Sequence, residues 1–219
     1  MVDYAVLNQR LFEGGHEAVR DMVEQALAEG RSAREVLEEG LIAGMKVVGE
    51  DFKHNRVFVP EVLLAARAMK AGLAVLKPHL AANRDDAPVL SGTIVIGTVK
   101  GDLHDIGKNL VGMMAEGSGF NVVDLGTDTS AEKFVAAARE HRASVVGMSA
   151  LLTTTMVYMP TVVQKLREAG LAEVKICIGG APTSAEFARQ IGADGHAADA
   201  ASAVELFRRL VAQHKTATA

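Results

Sequence analysis

Two rhythms of apolar and polar positions divide the chain. Up to about residue 80 the apolar residues recur at helical spacing. Val19, Met22, Val23, Ala26 and Leu27 form one stripe between His16 and Leu27, which Gly30 is placed to close. Ser32-Ala33-Arg34-Glu35 reads as a capping box, in which hydroxyl and carboxylate satisfy orphan amides reciprocally. Leu37, Leu41, Met45 and Val48 follow on one face, with Gly40 and Gly44 beside it; two glycines inside a helix are unfavourable unless a neighbour packs close there. Pro60 sits where a first-turn proline is tolerated, and Leu63, Ala66, Met69, Leu73 and Leu76 predict a third helix ending at Pro78. A short helix around Leu7–Phe12 makes a bundle of four.

From Thr93 the period changes. The runs "TIVIGTV", "NVVDLG", "SVVGMS" and "VKICIGG" predict strands, with a fifth around Asp194–Ala197. Helical patterns near 105–117, 131–141, 157–169, 184–191 and 200–212 separate or follow them. Strand–helix alternation with apolar strands predicts a doubly wound parallel sheet. The polar stretch "AANRDDAP" between the two rhythms reads as a linker. The expected organisation is an N-terminal α-helical bundle (1–82), a linker (83–91) and a C-terminal α/β doubly wound, Rossmann-like or flavodoxin-like, five-stranded parallel sheet (92–219).

Composition narrows the partners. The 219 residues are 49% hydrophobic and 23% charged, ordinary for a well-cored chain. The formal charge of −4 is spread without a basic stripe, which disfavours nucleic acid. One cysteine, Cys177, excludes an internal disulfide framework and fits a reducing compartment; mid-strand, it reads as a buried apolar thiol. Without an apolar run of bilayer length or a charged-then-apolar opening, a cytoplasmic location is expected, away from membranes. Four per cent aromatics with no Trp argues against base-stacking or sugar platforms.

Candidate chemistry centres on Gly101-Asp102-Leu103-His104-Asp105-Ile106-Gly107-Lys108, which leaves the first strand at its carboxyl end, the edge where doubly wound sheets bind ligands. A phosphate loop needs four residues between its glycines and a hydroxyl after the lysine; here five intervene and Asn109 follows. A closed zinc site needs about four ligands, more than His104 with Asp102 or Asp105 provides. The dinucleotide fingerprint is absent from this turn. The plain alternative remains that the acids cap the following helix while His104 points to solvent.

Asp102-x-His104-x-x-Gly107, Ser149-x-Leu151 and Gly179-Gly180 together resemble the signature of cobalamin-binding domains. The gaps of 41 residues between Gly107 and Ser149 and of 27 between Leu151 and Gly179 are those that family requires. "EGLIAGMKVVGEDF" and "FVPEVLLAARAM" resemble the helical cap that precedes this domain in methionine synthase and in corrinoid methyl-carrier proteins. The two likenesses cover roughly residues 10–210.

The resemblance implies a cofactor, cobalamin or a related corrinoid, carried as methylcobalamin in one state. It makes Gly101, Asp102, Leu103, His104, Asp105, Ile106 and Gly107 cofactor-binding, with His104 the axial ligand to cobalt. Asp102 would accept the other ring N–H, which sets the basicity of the ligand, and Thr155 would extend the relay by its hydroxyl. The displaced nucleotide tail would enter a slot of small residues, Gly147, Ser149, Ala150, Gly179, Gly180 and Ala181, where Ser149, Leu151 and Thr153 contact it. His196 stands where relatives often carry tyrosine. The other histidines, at 16, 54, 79, 141 and 214, read as solvated. Phe52 and Val59 match residues that cover the upper face of the corrin, or belong to the bundle core; Met45 and Met69 read as core.

The family function is methyl transfer. It implies a corrinoid protein passing a methyl group from a substrate-specific corrinoid methyltransferase to a second methyltransferase that uses a folate, pterin or thiol acceptor. A reductive activating protein would restore oxidised cobalt, and the linker would be the hinge. A cobalamin-dependent mutase subunit would share "DLHDIG" without needing the helical cap. A cobalamin-dependent sensor would need a signalling or DNA-binding segment, for which 1–15 and 211–219 look short.

Overall fold

The computed structural model describes residues 1–82 and 92–217. The expected linker, 83–91, and the side chain of His214 lie outside the described residues. The chain divides into two compact units, Met1–Leu90 with Met113–Gly119, and Ser91–Gly112 with Phe120–Ala219.

In the first unit the helices are α1 (Tyr4–Phe12), α2 (His16–Ala28), α3 (Ala33–Glu35), α4 (Ala43–Lys53) and α5 (Val59–Ala82). Three of these starts are capped by side chains. Asp3 accepts from the amide of Ala5, Ser32 accepts from that of Glu35, and Glu61 reaches back to the amide of Phe58 ahead of α5. The expected stripes are buried at Val19, Val23 and Ala26 and at Leu37, Leu41, Met45 and Val48. Gly40 and Gly44 have the close neighbour their position demanded: a Cβ on Gly40 would stand 2.6 Å from Leu7, and one on Gly44 3.0 Å from Asn8, both on α1.

Three expectations are corrected. Between α3 and α4 the chain is π-helical over Val36–Ile42, a winding that apolar spacing does not separate from an ordinary helix. Pro78 does not end α5, which runs on to Ala82. A proline inside a helix forfeits one backbone bond, and burying Leu80 beyond it compensates. Leu63 lies off the buried face, which runs through Val62, Ala65, Met69 and Leu76 instead.

The second unit is the parallel sheet: β1 (Thr93–Thr98), β2 (Asn121–Asp124), β3 (Val145–Ser149), β4 (Lys175–Gly179) and β5 (Gly195–Ala197), in the order β2-β1-β3-β4-β5. The connecting helices are α6 (Ile106–Gly117), α7 (Ala131–Glu140), α8 (Thr153–Met156), α9 (Met159–Glu168), α10 (Ala185–Gln190) and α11 (Ala200–Ala217). α8 and α9 replace the single helix expected from 157, with Pro160 in the first turn of α9. Val95, Val146, Met148, Ile176 and Ile178 pack with Phe134, Met159, Val162 and Leu166 in the core on one face. The other face carries Ile96 beside Gly112 of α6, and Gly147 beside Phe207 of α11. Strand order reverses between β1 and β3, the switch point at which such sheets open a crevice. No helix among the described residues is long and apolar enough to cross a membrane.

Candidate functional site

The chain leaves β1 under tight control. The amide of Thr98 donates to the carbonyl of Gly126 (2.9 Å) and that of Thr129 to the carbonyl of Thr98 (2.9 Å), while the amide of Val99 donates to Ser149 O (3.0 Å). A turn then forms, with the amide of Asp102 on Val99 O at 3.1 Å. The buried Thr98 hydroxyl reaches the carbonyl of His104 at 3.0 Å. The loop is therefore a braced structure carrying Asp102 and His104 to the start of α6.

Asp102 is the hub. Oδ1 accepts from the backbone amide of His104 (3.0 Å) and faces its Nδ1 at 2.8 Å. Oδ2 accepts from the amide of Leu151 (2.8 Å) and from the Thr155 hydroxyl (2.6 Å). The Asp102 side chain is fully buried, while that of His104 is 52% exposed. Burial alone would raise the Asp102 carboxyl, but the bonds from Thr155, the His104 amide, the Leu151 amide and the His104 ring outweigh it and hold the group well below the usual carboxylate range. An anion at Oδ1 fixes the proton of a neutral ring on Nδ1, so the lone pair is left on the half-exposed Nε2. One presented imidazole suits a metal that arrives with its other donors. Among the described residues no group of three or more His, Cys, Asp or Glu is arranged to hold a bare ion.

The rim of this site is apolar and open. Leu103 (73%), Ile106 (81%), Leu151 (45%) and Leu152 (44%) are exposed. Gly107 stands in the first turn of α6, and a Cβ there would meet nothing within 4 Å. Asp105 precedes α6, and its Oδ2 accepts from the side-chain amide of Asn109 (3.0 Å), not from a backbone amide of the helix.

Three of the small residues expected to form a slot, Gly147, Ser149 and Gly179, share a surface, whereas Ala150 belongs to the core of the opposite face. Register pairs Thr98 with Ser149, Gly147 with Cys177 and Ser149 with Gly179, which puts these positions on one face of the sheet. Gly147, Ser149 and Gly179 are partly exposed where their opposite-facing strand neighbours are buried. Gly180 has φ +116°, and a Cβ on it would stand 1.9 Å from Ala150 O, so only glycine fits where the chain turns out of β4. Thr153 is exposed at the start of α8, Ala181 is exposed, and Ala150 is buried. His196 pairs with Ile178 in register, which places it on the face opposite Ser149 and Gly179. Cys177 is buried, and burial pushes its thiol up, away from nucleophilic use.

In the helical unit Phe52 is half-buried near the end of α4 and Val59 is exposed at the start of α5, while Met45 and Met69 belong to the core. His54, His79 and His141 are exposed, and His16 is half-buried.

Two residues escaped the sequence reading. Lys108 is buried and bonds to Asp124 and, at 2.6 Å, to Asn109 Oδ1, so its ammonium is engaged inside the fold and is not offered to a phosphate. Asp128 accepts from the amide of Gly101 (2.8 Å) and donates its own amide to Asp102 O (3.0 Å). Lys108 had been weighed only as the lysine of a phosphate loop, and Asp128 had no local signal beyond a charged residue in a polar turn.

Comparison with known proteins points one way. A B12 binding domain family matches residues 92–205, and a second B12 binding domain family matches residues 5–77. A corrinoid protein of Desulfitobacterium hafniense is 42% identical over 206 residues, covering 94% of this chain and 95% of that protein. Trimethylamine corrinoid protein 1 of Methanosarcina acetivorans is 41% identical, covering 89% and 90%. Among solved structures, the methanol:cobalamin methyltransferase complex of Methanosarcina barkeri contains a chain that matches with a TM-score of 0.83 at 31% identity, covering 94% of this chain and 78% of that one.

Proposed function

The chain belongs to the B12-binding corrinoid proteins, and from that premise we propose that it is a methyl carrier whose corrinoid is held at cobalt by His104. When bound, the cofactor would supply a cobalt centre able to accept and release a methyl group. The observation that carries the reading is the 2.8 Å contact between His104 Nδ1 and buried Asp102, which leaves Nε2 presented at the β1–β3 switch point. A corrin brings four nitrogen donors of its own, so one imidazole completes the set that the protein must provide. Gly107 leaves room for a ring, and the exposed Leu103, Ile106, Leu151 and Leu152 offer it an apolar bed.

The remaining roles follow from chemistry. Asp102 keeps the proton on Nδ1, and Thr155, donating at 2.6 Å, keeps Asp102 anionic and in place. Gly101 and Asp105 line the loop. Ser149, Thr153, Gly179 and Gly180 supply the small and hydroxyl-bearing surface for the nucleotide tail. His196, on the opposite face, takes no part. Phe52 and Val59 would serve to exclude water from the bound cofactor.

The partners are a substrate-specific corrinoid methyltransferase, a second methyltransferase with a folate, pterin or thiol acceptor, and a reductive activating protein. A mutase subunit would leave the helical unit, matched over residues 5–77, without a purpose. Reconstituting the purified chain with cobalamin is expected to give a base-off, histidine-on absorption spectrum, and His104→Ala to abolish it. An unchanged spectrum in His104→Ala would overturn the ligand assignment.

A further inference from the structure

The turn that carries His104 is clamped from outside its own loop. After β2 the chain runs parallel to the exit of β1, and Thr98, Val99 and Thr129 extend the sheet pairing by one bridge. At the end of that bridge stands Asp128, with φ +49°, a left-handed backbone that side-chain-bearing residues avoid and Asp tolerates better than most. Its Oδ1 takes the amide of Gly101 at 2.8 Å and its amide holds the carbonyl of Asp102 at 3.0 Å. One residue thus grips two successive positions of the turn that presents the histidine. Neither bond belongs to the hydrophobic core, and both fall on backbone within three residues of His104.

The geometry points to Asp128 as a positioning residue for the cobalt ligand: its two-bond clamp holds the Gly101–Asp102 backbone so that the imidazole is already aimed when a corrinoid arrives. This inference rests on the reading of His104 as the axial ligand. A braced turn gives up little freedom on binding, so the clamp acts by pre-organisation. Removing the carboxylate leaves the Gly101 amide without its acceptor and the turn free to rotate, although Asp102 keeps all four donors of its own.

The test uses the full chain labelled with 15N-histidine, cob(II)alamin as the probe, and two readouts: affinity by absorbance titration, and the two-line splitting that a coordinated 15N-histidine imposes on the cobalt electron-spin resonance, distinct from the three lines given by the cofactor's own base. Asp128→Ala is expected to bind about ten-fold more weakly, the scale of one lost bond to a charged group, and to show the two-line signal in only part of the bound cofactor. Asp128→Gly, which relieves the left-handed backbone while also lacking the acceptor, is expected to show the same loss and guards against a mere folding defect. Asp128→Asn keeps an acceptor and should stay within about three-fold of the native chain. In a His104→Ala background, Asp128→Ala should cost less than about two-fold, because a positioning residue has nothing left to position. Native splitting in Asp128→Gly, or an equal ten-fold loss with His104 absent, overturns the inference. A native chain without the two-line splitting would instead overturn the histidine assignment itself.

Discussion

Replacing Asp102 with Asn changes one atom and leaves the shape of the side chain intact, yet the geometry makes it expensive. Each carboxylate oxygen receives one backbone amide, Oδ1 that of His104 and Oδ2 that of Leu151, and one side-chain donor besides. An Asn carries a single oxygen. If that oxygen faces His104, the NH2 group opposes the Leu151 amide; Thr155 escapes by turning its hydroxyl to Leu152 O, 3.0 Å away. If the oxygen faces Leu151, the NH2 opposes the His104 amide, and the ring relieves the conflict only by moving its proton to Nε2, where a metal would bind. Either way one part-buried amide loses its acceptor, and the surviving bonds lose their charge assistance, for a total of about 2–4 kcal/mol. Denaturant unfolding of the cofactor-free chain at neutral pH should show this as a lower midpoint with an unchanged slope. The pH dependence has a fixed sign. The Asp102 carboxyl is depressed in the folded chain, so its stabilisation is complete above the unfolded-state value near pH 4 and is lost as pH falls toward the folded-state value. The deficit of Asp102→Asn should therefore be flat down to about pH 5 and shrink in stronger acid. A deficit below about 0.5 kcal/mol at neutral pH, or one that grows in acid, would refute the reasoning.

Two glycines separate packing from ligand space. Gly107→Ala adds a methyl that meets nothing within 4 Å, so thermal stability should hold or rise by up to about 1 kcal/mol from helix propensity. Cobalamin affinity in the same protein should fall at least about ten-fold, measured by absorbance titration; unchanged affinity would show that no ligand occupies that space. Gly180→Ala drives a Cβ to 1.9 Å from a main-chain oxygen at φ +116°, and no flexible side chain can yield there. A loss of at least about 3 kcal/mol is expected in thermal melts, and native-like melting would refute the close approach.

Much of this architecture is written in periodicity. The strand runs became β1–β5 with shifts of only a residue or two at their ends, because a parallel sheet covered on both faces needs uninterrupted apolar runs. The resemblance named Asp102, His104 and Thr155 as a relay, and the fold brings them together at one carboxylate, whereas the Leu151 amide on Oδ2 had no mark in the sequence. Other features had no such mark. The π-helical turn keeps the apolar stripe of an ordinary helix, and Pro78 reads as a terminator until the burial of Leu80 is known. Asp128 acts on backbone groups 26 and 27 residues earlier, through bonds any carboxylate in a turn might equally make to water. His196 lies where the strand was expected, but its face depended on a register that only pairing with β4 reveals.

Strand order explains why one short segment serves two ends of the site. At the switch point the exit of β1 lies against the end of β3, with Thr98 paired to Ser149 and the Val99 amide on Ser149 O. Ser149 faces the surface of small residues with Gly179, and two to six residues later Leu151 and Thr155 return to hold Oδ2 of Asp102. On the proposed reading, residues 149–155 therefore touch the nucleotide tail at one end and set the strength of the axial histidine at the other. A shift of this segment that accommodated the tail poorly would loosen both Oδ2 donors together and weaken the imidazole as a ligand. Because the segment issues from a strand hydrogen-bonded on both sides, such a shift has to disturb β1 or β4 as well. On that reading the sheet ties tail occupancy and histidine ligation into one event, although their residues are far apart in sequence.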